Sequence, residues 1–170
     1  FGRMGYKAKF KNIVWDEKDS YLANGEVDCL WGCFSMNGRE NMYQWAGPYM
    51  NSRQAVAVRA DSDIYKLSDL AGKSVAVQSS SKPEELLSGK SNNMPQVGAL
   101  YCFVKTDYIF AALNKGYVDA IAGHEFMLHQ LVNDDDGKYR LLDENLLISK
   151  LGVAFYKDNN TEIPDRLNSV

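Results

Sequence analysis

The stretch Asp28-Cys29-Leu30-Trp31-Gly32-Cys33-Phe34-Ser35-Met36-Asn37-Gly38-Arg39 begins apolar and ends small, polar and cationic. Cys29 to Trp31 have the unbroken apolar character of a strand covered on both faces, as parallel sheets require. In open α/β sheets, ligands settle in the crevice beyond the carboxyl ends of the strands, so the segment predicts a buried strand running into a binding loop. Ser35 offers a hydroxyl, and the backbone at Gly32 and Cys33 allows close approach. The Arg39 guanidinium matches a carboxylate in a two-pronged way. An arginine after a strand is more often a solvated surface residue, so the motif needs support from the rest of the chain.

Composition narrows the classes. The 170 residues are 45% hydrophobic and 24% charged, which describes a globular chain long enough for one compact domain or two small lobes. No apolar run approaches the roughly 20 residues needed to cross a bilayer. A net charge of -3 argues against a nucleic-acid partner, because phosphate binding wants a concentrated basic surface. Cys29, Cys33 and Cys102 are an odd set without metal-ligand spacing. On one extended segment Cys29 and Cys33 would lie about 13 Å apart, too far to bridge, so the three read as buried free thiols. The opening at Phe1-Gly2-Arg3 reads as a fragment or a trimmed mature form, and the lack of a leader carries no information.

Along the chain, Tyr6 to Ile13 alternates apolar and charged residues and predicts an outer strand. Asp16 to Gly25 reads as a short helix with acids in its first turn and a glycine stop. Glu40 to Trp45 predicts a helical turn, Ala46 to Tyr49 a turn, and Arg53 to Arg59 a second alternating strand. Ser68 to Gly72 reads as a turn or 3₁₀ segment and Ser74 to Gln78 as a strand. Ser79-Ser80-Ser81-Lys82-Pro83-Glu84-Glu85 reads as a polar loop entering a helix, where Ser81 and Lys82 would suit an anion or simply cap the helix.

Leu100 to Val104 predicts a strand and Thr106 to Gly116 a helix capped at Thr106. Tyr117 to Gly123 is a strand opening into His124-Glu125. This echoes Gly25-Glu26-Val27-Asp28 and its apolar run, and two such units suggest two lobes. Glu125 to Asn133 reads as a helix, Asn133 to Gly137 as an exposed turn, Tyr139 to Leu142 and Gly152 to Tyr156 as strands, and Ile163 onward as a helix. Asp134 to Asp136 fail the calcium-loop pattern, so no metal is expected.

Six segments together carry a resemblance. Leu22 to Asp28, Ser35 to Arg39, Trp45 to Tyr49, Leu67 to Gln78, Ala112 to Ala120 and Leu151 to Phe155 follow the order seen in extracellular solute-binding proteins of family 3. These serve polar amino acid ABC transporters and also act as receptor sensor domains. The resemblance implies an α/β, two-lobed fold of the type II periplasmic-binding-protein kind, incomplete at both ends. It implies a first lobe from 1–53 and 145–170, a second lobe from 54–144, and closure on a ligand by hinge motion. It implies an extracytoplasmic protein, periplasmic or on the cell surface, with a lipid anchor as one form.

The same resemblance assigns roles. Trp15 would pack on the ligand's side chain, Ser35 and Arg39 would hold its carboxylate beside Cys33, and Ser81 and Lys82 would complete the cradle. The Ser35–Arg39 spacing is one residue shorter than usual in the family, and Ser80 stands where glycine is common. His124, followed by Glu125, occupies the place of an aspartate that meets the ligand's ammonium. Either Glu125 takes over that charge, or the ligand is not a standard α-amino acid. The expected partners are a small carboxylate-bearing ligand, a membrane permease or receptor, and a second copy if another chain supplies the missing first strand. No cofactor is expected. The competing reading is an enzyme of the cyclohexadienyl dehydratase kind, with His124 and Glu125 as acid and base; a Cys33–His124 nucleophile lacks an orienting third residue.

Overall fold

The computed structural model describes residues 1–89, 93–134, 137–159 and 162–169. They form two compact units, one of Phe1–Asn51 with Ser149–Val170, the other of Ser52–Ile148. Of the expected turn at Asn133 to Gly137, residues 135–136 lie outside the described residues, and Asn133 belongs to the helix Glu125–Asp134.

The second unit is built on a sheet. Strands β1 (Gln44–Arg59, of which residues from Ser52 onward belong to this unit), β2 (Ser74–Gln78), β3 (Ala99–Phe103), β4 (Ala120–His124) and β5 (Tyr139–Leu141) run in the order β3-β2-β4-β1-β5, and β6 (Leu147–Phe155), most of which belongs to the first unit, pairs with β1. β2 is parallel to β3 and β4, whereas β1 is antiparallel to β4 and β5. The reason is visible in the strands themselves. Val75, Ala76 and Val77, like Ala55 to Val58 and Ala120 to Ala122, are at most 1% exposed, so both faces of the sheet are covered.

The two faces differ. Val56, Val58, Val75, Val77, Ala120 and Ala122 pack with Leu87 of helix α2 (Lys82–Leu87) and with Ile64 and Leu70. Ala55, Ala57, Ala76 and Ile121 pack with α3 (Thr106–Asn114) and α4 (Glu125–Asp134) through Ile109, Leu113 and Leu128. Alanines on that face let the two longer helices sit close. The Val118-Asp119 pair before β4 also has a physical role: the Asp119 carboxylate accepts from Ser74 N and Oγ at 2.8 and 2.6 Å, aligning the start of β2 with β4.

Ion pairing ties α4 to β1. Arg53 donates from Nε to Glu125 Oε2 at 2.7 Å and from its backbone N to Oε1 at 3.1 Å. That guanidinium holds the Glu125 carboxyl below its usual range.

The first unit is smaller and aromatic. A 3₁₀ turn at Trp15–Glu17 leads into α1 (Lys18–Ala23), and α5 (Ile163–Asn168) follows β6. Phe34 is its centre, meeting Trp15, Tyr43 and Trp45 at ring-centroid distances of 4.9, 5.2 and 5.2 Å. Leu22, Leu30 and Ala154 complete the core.

Several expectations are corrected here. Cys29 to Trp31 do not form a buried parallel strand. Leu30 makes one antiparallel bridge to Ala154, and Trp31 is 55% exposed, against Phe1 and Tyr49. Tyr6 to Ile13 forms no strand, since alternation without a ladder partner has nothing to pair its backbone, and Phe10 stands 96% exposed. Glu40 to Tyr49 is not a helical turn and a turn, because from Gln44 onward one 16-residue strand runs through Gly47-Pro48. Pro48 lies ahead of Gln54, where pairing with β4 begins. Thr106 lies inside α3, with Lys105 at the cap position and no side-chain cap bond. The cysteines are reduced but not buried as residues: Cys33 and Cys102 are exposed and Cys29 is half-buried.

Two glycine-related positions and one ion pair give measurable consequences. A Cβ at Gly98 would lie 2.3 Å from the Gly72 carbonyl oxygen, so Gly98→Ala is expected to cost about 2 kcal/mol in urea unfolding as the backbone shifts. Among the described residues Ser80 is the non-glycine residue with positive φ, at 56°, so Ser80→Gly is expected to raise stability by about 1 kcal/mol in the same assay. A carboxylate with a depressed folded pKa contributes stability that is present above its unfolded value and lost as pH falls through the folded one. Glu125→Gln is therefore expected to be less stable than the parent at pH 7, the gap closing as pH drops below 4.5, the ordinary value for this group; a gap independent of pH would contradict the pairing.

Candidate functional site

In the first unit, the loop after Phe34 is fastened to β6. Met36 N donates to Lys150 O at 2.8 Å, Lys150 N donates to Asn37 Oδ1 at 2.8 Å, and Gly152 N donates to Phe34 O at 3.1 Å. Ser35 is 2% exposed, and its hydroxyl lies 3.2 Å from Asn37 Oδ1. The loop is thus an ordered platform whose shortness is absorbed by the turn at Gly38, with φ 73°.

Arg39 rises from that platform half-exposed. Its guanidinium carbon lies 5.5 Å from the Phe34 ring centroid, and Nη1 donates to Ser35 O at 3.4 Å. Trp45 Nε1 donates to Arg39 O at 3.1 Å, which fixes the backbone beneath. The arrangement orients a cation over an aromatic face. Trp15 lies edge-on to Phe34 and half-buried, with Lys18 Nζ 5.4 Å from its ring centroid. It is therefore in part a core residue. Cys33 is exposed, and burial of its thiol pushes the pKa up, which keeps it protonated and a poor nucleophile.

The unit also holds a cavity of about 800 Å³ between the extended segments Ala8–Lys11 and Glu26–Trp31. Of the residues expected at a ligand, only Trp15 borders it.

In the second unit, the Ser79–Lys82 loop follows the carboxyl end of β2, and His124 ends the parallel neighbour β4. Ser81 caps α2, its hydroxyl accepting from Glu84 N at 3.4 Å. The anion place at this helix start is taken by the helix's own acids. Ser80 N donates to Glu84 Oε2, and Lys82, 8% exposed, pairs with Glu85. Lys82 is thus engaged within its helix rather than standing open. His124 pairs across the sheet with Gln54, whose Nε2 lies 3.2 and 3.0 Å from the two ring nitrogens. Glu125 is committed to Arg53, as described above.

Sequence reading missed Ser52, Arg53 and Gln54 as site neighbours. The available signal was the strand period: Ser52 and Gln54 precede Val56 and Val58 on one face, and Arg53 precedes Ala55 on the other. The expected strand began at Arg53, so Ser52 lay outside it, whereas β1 runs from Gln44 to Arg59.

Comparison with known proteins identifies the family and the fold. The family model "Bacterial extracellular solute-binding proteins, family 3" matches residues 1–170. The glutamate-binding protein GluB of Corynebacterium efficiens is 28% identical over 161 residues, covering 90% of this chain and 53% of the relative. GluB of Corynebacterium glutamicum is 28% identical over 170 residues, covering 92% and 56%. The chain thus spans about half the length of the curated relatives it matches. A substrate binding protein of an amino acid ABC transporter aligns at TM-score 0.84 and 25% identity, covering 99% of this chain and 74% of that one. An ancestral arginine-binding protein bound to arginine aligns at TM-score 0.87 and 24% identity, with coverage of 99% and 74%, which establishes the shared type II periplasmic-binding-protein fold. With every residue inside the family match, the chain belongs to the bacterial extracellular solute-binding proteins, family 3.

Proposed function

We propose that the chain captures a small carboxylate-bearing solute outside the cytoplasm, a polar amino acid or a derivative of one, for delivery to an ABC permease. The observation that carries this reading is Arg39: a guanidinium set over Phe34, steadied by Ser35 O, on a loop bonded to β6. Such a group is preorganised for a carboxylate, because little side-chain freedom remains to be lost on binding. Ser35 and Trp15 would assist from the first unit. The Ser79–Lys82 loop and His124 would complete recognition from the second, the two units acting as the family's lobes. The family's description as extracellular, and relatives named for glutamate and arginine binding, support both the location and the ligand class.

Binding is favoured over catalysis by Glu125. An acid or base at work in a site needs freedom to exchange a proton, whereas this carboxylate is bonded through both oxygens to Arg53.

Arg39→Ala is expected to weaken the bound carboxylate at least about tenfold in calorimetric titration with polar amino acids and small dicarboxylates, while circular dichroism stays unchanged. Equal affinity in the variant would remove Arg39 from the site.

A further inference from the structure

The loop that carries Arg39 leaves β6 by an exchange of hydrogen-bond acceptors. Ser35 faces Leu151 in an antiparallel bridge, so the flanking pairs, Phe34 with Gly152 and Met36 with Lys150, are where the two backbones trade hydrogen bonds. Gly152 N donates to Phe34 O at 3.1 Å and Met36 N donates to Lys150 O at 2.8 Å, as such a ladder requires. The return bond, from Lys150 N to Met36 O, is absent among the described residues. Lys150 N donates instead to the side-chain Oδ1 of Asn37 at 2.8 Å, and Met36 O accepts from Arg39 N at 2.8 Å.

A side-chain amide thus stands where a backbone carbonyl belongs in the ladder. That frees Met36 O to close the turn Met36-Asn37-Gly38-Arg39, whose third residue, Gly38, has the positive φ of 73° that glycine supplies at such a position. The turn sends Arg39 back over the loop, where Nη1 reaches Ser35 O and the guanidinium meets the Phe34 ring. On the far side, Arg39 O accepts from Met42 N at 3.0 Å and from Trp45 Nε1 at 3.1 Å. The backbone of Arg39 is therefore held from both sides, and the hold on its N–H depends on Asn37. Without the Asn37 oxygen, Lys150 N–H and Arg39 N–H compete for one carbonyl, that of Met36, and a longer ladder competes with the turn. The Ser35 hydroxyl, 3.2 Å from the same oxygen, loses that partner as well.

We infer that Asn37 is the positioning residue of Arg39: by replacing the Met36 carbonyl in the ladder with β6, its side chain makes the turn that orders the guanidinium, and so raises the affinity for a carboxylate that Asn37 itself does not touch. The effect on affinity rests on the carboxylate-binding reading above, whereas the ordering of Arg39 belongs to the free protein. A side chain ordered before the ligand arrives loses less freedom on binding, so loosening the turn costs affinity.

The test is NMR relaxation of the Arg39 Nε–H in the ligand-free chain, joined to calorimetric titration with the polar amino acid or small dicarboxylate that the parent binds most tightly. In Asn37→Ala the order parameter of that group is expected to fall from its parent value to below about 0.6, with circular dichroism unchanged. Asn37→Asp, which keeps an acceptor oxygen at the same reach, is expected to restore the order of Arg39. Asn37→Ala is also expected to bind the chosen carboxylate about fivefold more weakly than the parent. An Arg39 side chain as ordered in Asn37→Ala as in the parent, or still disordered in Asn37→Asp, overturns the inference and leaves the carboxylate reading standing. Unchanged affinity in an Asn37→Ala variant whose Arg39 has lost its order overturns the link from positioning to binding. A parent that binds no member of the panel overturns the carboxylate reading, and the relaxation of Arg39 then decides the positioning role by itself.

Discussion

The antiparallel pairing of β1 with β4, in the register that sets Gln54 opposite His124, is the constraint on which the second unit depends. A slip of β1 by one residue would exchange the faces of that strand relative to β4. Valines that meet α2 would turn toward α3 and α4, and Arg53 would lose Glu125. Packing and electrostatics therefore select the same register. The unbroken burial of Ala55 to Val58 supplies the driving force, and the half-buried Arg53–Glu125 pair favours the same register.

The first unit is organised differently. Its core is one phenylalanine ringed by three aromatic side chains, and the loop that follows Phe34 in the chain carries Arg39 back over the same ring. One side chain thus serves as core and as support for the cation. This coupling means that the rigidity of the Arg39 loop derives from hydrophobic packing and from its hydrogen bonds to β6, and only in small part from the loop's own composition. Trp15 belongs to the same cluster, so its aromatic face is positioned by packing before any ligand arrives.

Membership of the solute-binding family supplies the frame, and the departures within that frame supply the individuality. At the end of β4 this chain has an imidazole bonded to a buried amide. The next residue, Glu125, begins helix α4 and pairs with Arg53. The relatives named for glutamate and arginine share the architecture.

Much of the second unit was legible in the sequence. Ser74 to Gln78, the Pro83 helix start, Thr106 to Asn114 and the strand into His124 all rest on local signals, namely apolar runs covered on both faces and helix caps or stops. The first unit was less legible, since Tyr6 to Ile13 has strand alternation without a strand, and Gly47-Pro48 reads as a turn inside a continuous strand. Local pattern records which side chains prefer burial, but a strand exists only when another backbone satisfies its N–H and C=O groups. By itself, then, the sequence determined the family order of segments, the presence of Arg39 after a small polar loop, and the unusual His124-Glu125 pair. Only the tertiary structure decided that Lys82 and Glu125 are already partnered, that Ser52 and Gln54 join His124 on one face, and that Arg39 stands on an aromatic ring, because each of these depends on which strand lies beside which and in what register.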